Sequence, residues 1–214
     1  MPCGAGDLQC ATPRTPAATG DDRDPPIRFA KENRMRTLQQ LRMEFLQYKI
    51  EPIGWLGDSP SRFDFYTQTA AGCDTILELG VFTGLTTTAF LLAQPKRLVS
   101  VDISDEYFQI RPELEQAAKD LSIDFEFRIA DDLAMEPLAA DLLFIDTTHT
   151  YEQTLAELNR FGPLARKKIV LHDMTVAGVY QAVFQWLWDN KQFHITYHDS
   201  RGCGAVVCER HVGY

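Results

Sequence analysis

Apolar positions along this chain fall into two rhythms. Short apolar runs occur at 75–79, 98–101, 125–129, 142–145 and 169–171. Between them apolar residues recur at helical spacing over 106–121, 150–161 and 177–190, and a further helical pattern starts at about Thr86. Strands that are apolar along their length and separated by helices predict a parallel sheet covered on both faces. The end of the chain breaks the alternation. Runs at 194–197 and 205–208 are joined only by the turn-like segment from Asp199 to Gly204, which predicts an antiparallel hairpin. The expected architecture is therefore α/β: a Rossmann-like, doubly wound, mostly parallel seven-stranded sheet with a C-terminal antiparallel hairpin.

Upstream, Met35, Leu38, Leu41, Phe45 and Leu46 mark an amphipathic helix over 31–50. The stretch 51–58 reads as a loop, and Ser59-Pro60 as an N-cap with proline at the first position of a short helix reaching toward Thr69. Residues 1–27 hold Pro2, Pro13, Pro16, Pro25 and Pro26 among small and polar residues and read as a disordered tail. That leaves one domain, 28–214, with a helical cap at 28–70.

Composition narrows the class. A chain of 214 residues, 45% hydrophobic and 24% charged, suits a single globular domain. No run approaches the ~20 apolar residues of a membrane span, and the N-terminus lacks a secretory pattern, so the expected setting is cytoplasmic. A net charge of −9 argues against nucleic acid as a partner, and no membrane contact is expected. The basic clusters Arg34-Met35-Arg36 and Arg166-Lys167-Lys168 read as solvated helix ends or loops. Five cysteines without C-x-x-C spacing argue against a disulfide framework or a zinc site, with Cys208 expected as a buried free thiol. The 31–50 helix offers a face for pairing into a homo-oligomer.

In doubly wound sheets ligands bind beyond the carboxyl ends of the strands. The residues there are Glu78 to Gly84, then Asp102, Asp131-Asp132, Asp146 and His172-Asp173. One acid at such a place is commonly a helix cap, whereas five on one rim point to a polar ligand. The first strand runs into E-x-G-x-x-x-G, where Gly80 permits a sharp turn and close approach of a ligand, and Gly84 permits tight packing at the next helix. Phe82 stands where a dinucleotide loop has its middle glycine, and Glu78 places negative charge nearby. A cationic ligand suits this loop better than a pyrophosphate.

The run Ile76-Leu77-Glu78-Leu79-Gly80-Val81-Phe82-Thr83-Gly84 resembles motif I of the class I methyltransferases, in the form found in catechol and caffeoyl-CoA O-methyltransferases. The run from Leu143 to Glu152 resembles the F-I-D-x-x-H-x-Y-E element of a bacterial group that includes cephalosporin-hydroxylase-like and macrolide-sugar O-methyltransferases. Ile169 to Asp173 matches that group's fifth-strand ending. The resemblance covers about residues 60–210. It implies S-adenosylmethionine as cofactor, contacted by Glu78, Gly80, Phe82, Thr83 and Gly84, with Glu78 and Gly80 along its methionine part. Asp102 would accept both ribose hydroxyls, and Asp131, or Asp132 in its place, would face the adenine amino group. Asp146 would stand beside the methyl-transfer centre.

The expected reaction is methyl transfer to a hydroxyl oxygen of a small molecule. Asp146 and Asp173 follow strands expected to be neighbours, so their carboxylates can converge on a divalent cation, magnesium first, with His172 as a third ligand. The resembling enzymes often carry a further acid at the place of His172, which leaves open a metal-free site with His172 or His149 as base. His149 reads equally as a loop-fixing residue, and Trp55 either as a roof over the acceptor or as a plug on the core. At least one of Trp186 and Trp188 belongs to the core. The rival functions are an aminopropyltransferase-like enzyme and a non-catalytic Rossmann-like binding module.

Overall fold

A computed structural model of the chain describes residues 35–47, 49–50, 62–211 and 213. The expected tail at 1–27, the Ser59-Pro60 cap and the loop with Trp55 lie outside the described residues.

Strands β1 (Thr75–Leu79), β2 (Arg97–Asp102), β3 (Asp124–Ile129), β4 (Ala140–Ile145), β5 (Ala165–His172), β6 (Phe193–Asp199) and β7 (Ala205–Arg210) form one sheet in the order β3-β2-β1-β4-β5-β7-β6. Pairing is parallel from β3 through β5, while β7 runs antiparallel to both β5 and β6. The strand order reverses between β1 and β4, which opens a crevice at their carboxyl ends. Helices α1 (Leu38–Leu46), α2 (Phe63–Ala70), α3 (Leu85–Leu92), α4 (Arg111–Asp120), α5 (Tyr151–Phe161) and α6 (Ala177–Asp189) complete the fold.

Strand parity divides the core. Successive side chains point to opposite faces, so Ile76, Leu98, Leu142, Phe144 and Val170 join one cluster with α1 to α4. Leu77, Leu79, Val99, Leu143, Ile169 and Leu171 join the other, with residues of α5 and α6. The central strands β1, β2 and β4 are buried on both faces and read as apolar runs, whereas the edge strands β3, with Glu126 and Arg128, and β6 are partly exposed.

Several boundaries differ from the pattern in the sequence. Helix α1 starts at Leu38 because Thr37 and Gln40 form a capping box there. Helix α4 begins at Arg111 rather than at 106: turns closed by Phe108 N–H on the Asp105 carbonyl and Arg111 N–H on the Phe108 carbonyl precede it, and Pro112 lies in its first turn. Strand β5 starts four residues before the apolar run, so Arg166, Lys167 and Lys168 belong to a strand and not to a helix end or loop. Arg166 and Lys167 pair with Asp141 at 2.9 and 3.0 Å, which holds that carboxyl down at about 2, burial being outweighed by the two cations.

Trp186 is a core residue, packed so closely on Gly162 that a Cβ there would lie 2.4 Å from its ring, whereas Trp188 is 73% exposed beneath Lys191. Cys73 and Cys208 are buried free thiols. Among the described residues no helix is long and apolar enough to cross a membrane.

Candidate active site

A cavity of about 640 Å³ opens at the carboxyl ends of the strands, centred on the switch between β1 and β4. That volume lies within the range of small-molecule sites. Of the residues singled out in the sequence, Gly80, Phe82, Thr83, Asp102, Asp131, Asp132, Asp146, His149, His172 and Asp173 all line it. Glu78 and Gly84 do not.

The loop after β1 is held from below. Asp102 Oδ2 accepts the N–H groups of Val81 at 2.8 Å and Phe82 at 3.0 Å, and its Oδ1 accepts that of Ser104 at 3.2 Å. These bonds steady Phe82 at φ +49°, a conformation that a bulky side chain rarely adopts. A carboxylate has about four acceptor sites, so Asp102 keeps about one for a ligand instead of the pair expected for two ribose hydroxyls.

Two glycines serve purposes that strand geometry decides. Gly84 adopts φ +85° as the N-cap of α3, and a Cβ there would lie 2.4 Å from the Phe108 ring, so this position serves close packing. Gly80, expected to clear room for a ligand, instead clears room for the protein. Its φ is +88°, and a Cβ would lie 1.9 Å from the carbonyl oxygen of Asp146 at the end of β4.

Glu78 is likewise displaced from its expected role along the cofactor. Strand parity turns it toward α3, where it is 0% exposed. Its carboxylate accepts hydroxyl hydrogen bonds from Thr86, from Thr87 at 2.8 Å and from Ser100 at 2.5 Å, tying β1, β2 and the start of α3 together. Burial pushes its carboxyl up to about 7 against the pull of those three donors. A carboxyl raised by folding stabilises the fold at low pH and loses that contribution as pH rises through the raised value. The melting temperature of the wild type relative to Glu78→Gln is thus expected to be highest near pH 5 and to fall through about pH 7. Parallel melting curves across that range check it, and a constant difference would show an ionised Glu78.

At the other wall two carboxylates and two imidazoles gather. Asp146 ends β4, and Asp173 follows β5 at φ +57°. His149 Nε2 lies 3.1 Å from Asp146 Oδ1 and 2.8 Å from Asp173 Oδ2. His172 Nδ1 lies 3.1 Å from Asp173 Oδ2 and 3.5 Å from Asp146 Oδ2. Hydrogen bonds to Asp146 and Asp173 hold His149 up at about 10. Burial works against charge on His172, yet the same two carboxylates hold it up at about 11. Both acids sit below the usual carboxylate range, their burial outweighed by the facing imidazoles. The donor atoms of Asp146, His149 and Asp173 all lie within 4.8 Å of one another. Both imidazoles thus face the same two acids, the exposed His149 through Nε2 and the buried His172 through Nδ1.

Gln153, Thr147 and Cys203 also line the cavity and were not singled out from the sequence. Gln153 was legible in principle: it lies three residues past Thr150, whose hydroxyl caps α5 by accepting the Gln153 N–H at 3.3 Å, and so belongs to the turn facing the rim. Cys203 carried no such signal, because only the pairing of β7 with β5 brings the hairpin turn to the site.

Residues 77–174 match the family model described as a methyltransferase domain. No curated protein is significantly similar to the chain. Solved structures are similar in fold. The O-methyltransferase from Bacillus cereus in complex with SAH has a TM-score of 0.61 at 18% identity, over 81% of this chain and 90% of that one. TomG from Streptomyces achromogenes, an O-methyltransferase involved in tomaymycin synthesis and solved with SAM, has 0.59 at 15%, over 84% and 92%. A ribosomal protein methylase from Lactobacillus delbrueckii subsp. bulgaricus has 0.53 at 17%, over 71% and 78%.

Proposed function

We propose, on the premise that residues 77–174 form a methyltransferase domain, that this chain transfers the methyl group of S-adenosylmethionine to a hydroxyl oxygen of a small molecule. The observation that carries the reading is the convergence of Asp146, His149 and Asp173 on one wall of a cavity whose opposite wall holds Asp102, Asp131 and Asp132. The acidic walls suit a ligand bearing cationic, hydroxyl and amino groups. Oxygen as the acceptor atom follows the similarity in fold to the O-methyltransferases of Bacillus cereus and Streptomyces achromogenes. A small acceptor follows the latter and the chain's negative charge, since the fold itself also serves a ribosomal protein methylase.

S-adenosylmethionine, when bound, supplies a methyl group on a sulfonium that is already a good leaving group. The chain's own residues then bind and align. Asp102 accepts a ribose hydroxyl while holding the Val81–Phe82 amides, and Asp131 or Asp132 accepts the adenine amino group. Asp146 and Asp173 accept the hydrogen bond of the acceptor hydroxyl, align it with the methyl, and one of these carboxylates takes its proton. Two carboxylates and an imidazole within 4.8 Å also fit a divalent cation, with magnesium preferring the oxygens. Such a cation, when bound, lowers the pKa of the acceptor hydroxyl.

Calorimetry with S-adenosylhomocysteine tests the cofactor reading. The wild type is expected to bind, and Asp102→Ala to weaken binding by about 1.5–3 kcal/mol, the scale of hydrogen bonds to a charged group. No binding by the wild type would overturn the reading, and equal affinity in the variant would misplace the ribose.

A further inference from the structure

Behind the cavity wall lies a buried carboxyl that the proposed chemistry does not use. Glu157 belongs to the inward stripe of α5, with Thr154, Leu158 and Phe161, and is 0% exposed. Its Oε1 accepts hydrogen bonds from the Thr147 hydroxyl at 2.5 Å and from Gln153 Nε2 at 2.8 Å. Gln153 Nε2 also donates to Asp132 Oδ1 at 3.2 Å, and that oxygen takes the Leu133 N–H at 2.8 Å. The two remaining oxygens, Glu157 Oε2 and Asp132 Oδ2, are both buried and meet no donor among the described residues. Gln153 Nε2 therefore bridges the two carboxyls, which stand side by side behind the wall.

Two buried carboxylates side by side, each with an unpaired oxygen, cost a full desolvation penalty apiece and repel one another. A single proton between them removes both costs. We propose that Glu157 carries that proton on Oε2, donates it in a hydrogen bond to Asp132 Oδ2, and so acts as a positioning residue for the wall formed by Asp132, Thr147 and Gln153. That wall joins three separate elements: the β3–β4 connection, the end of β4 and the first turns of α5. Asp132 thereby keeps its orientation at the cavity rim. For the identity of the ligand the inference rests on the proposed function, but the protonated pair stands on the packing alone.

The groups facing Glu157 agree with a neutral form. Asp132 is a second acid, and Thr147 and Gln153 are uncharged donors. Arg160, one turn further along α5, directs its guanidinium to the carbonyl of Met135 instead. Burial, with Asp132 adding to it, pushes the Glu157 carboxyl up to about 8 against the Thr147 hydrogen bond. A raised carboxyl loses its stabilising contribution as pH rises through the raised value.

Glu157→Gln and Glu157→Ala separate the possibilities. Glutamine places an amide N–H where the proton sits and a carbonyl where Oε1 sits, so all three wall residues keep a partner. Alanine takes away the partner of the Thr147 hydroxyl, the shorter bond of Gln153 Nε2 and the donor to Asp132 Oδ2, and leaves Asp132 and Gln153 only each other. In ligand-free melting curves, the wild type is expected to lose about 4 °C or more relative to Glu157→Gln between pH 6 and pH 9. At pH 7, S-adenosylhomocysteine is expected to bind Glu157→Gln within about twofold of the wild type and Glu157→Ala about tenfold or more weakly. A melting difference that does not change with pH, or a Glu157→Gln variant as impaired as Glu157→Ala, would overturn the shared proton. If the melting difference follows pH but the wild type binds no S-adenosylhomocysteine, the pair is upheld and the ligand reading fails.

Discussion

Replacing Gly80 by valine is expected to leave no folded protein at ordinary temperature. The Cβ would sit 1.9 Å from the Asp146 carbonyl oxygen and 2.6 Å from its carbon, both backbone atoms. Neither side can yield: the Asp146 N–H is bonded to the Leu79 carbonyl at 2.8 Å and the Gly80 N–H to that of Val101 at 2.9 Å, so a shift breaks the sheet at its switch point. The positive φ adds its own cost of about 1–2 kcal/mol. Together these exceed about 5 kcal/mol, comparable to the whole stability of a domain. Even Gly80→Ala meets the same atoms. Gly72 supplies the control, since it also has a positive φ, +77°, but nothing within 4 Å of its missing Cβ. Gly72→Ala is therefore expected to cost only about 1 kcal/mol, or a few degrees in melting temperature. Urea denaturation of the three proteins checks the ranking. A folded Gly80→Ala with near-wild-type stability would show that the switch point relaxes.

The largest effect on turnover is expected from Asp173→Asn. Asparagine tolerates the left-handed backbone that Asp173 adopts at φ +57°, so the loop keeps its shape. The variant loses the charge that faces His149 Nε2 at 2.8 Å and His172 Nδ1 at 3.1 Å. On the proposed function kcat falls by about 10²–10⁴-fold, the scale of positioned proton transfer. Affinity for S-adenosylhomocysteine, which depends on the opposite wall, should stay within about threefold. Release of S-adenosylhomocysteine, measured with a panel of hydroxyl acceptors, gives the first quantity and calorimetry the second. The same assay in EDTA, with magnesium or manganese restored, tests the cation: full turnover in EDTA would take the metal out of the reading. Loss of binding in step with loss of turnover would move Asp173 into the cofactor site.

Much of this was legible in the chain. Apolar strands between helices are readable because side-chain period is a local property, and the central strands of this sheet are buried on both faces. The acids of the rim were legible for the same reason: each ends a strand or follows within three residues of one, and strands of a parallel sheet end on one side. The start of β5 was not, because Arg166 to Lys168 look solvated until Asp141, more than twenty residues away, is placed beside them.

The sequence by itself therefore determined the class of the sheet, the hairpin at its end and the side on which the polar residues collect. Only the tertiary structure decided what each polar atom faces. Strand parity and the seating of α3 turned Glu78 from a ligand contact into a buried tie between elements. The approach of β4 to β1 made Gly80 a matter of backbone clearance. The loop after β4 set His149, and the end of β5 set His172, against the same two acids. Glu157 became the partner of Asp132 only when α5 packed beneath the rim. Each of these outcomes depends on distances of a few ångströms between residues far apart in the chain. Those distances come from register and packing, which no local pattern encodes.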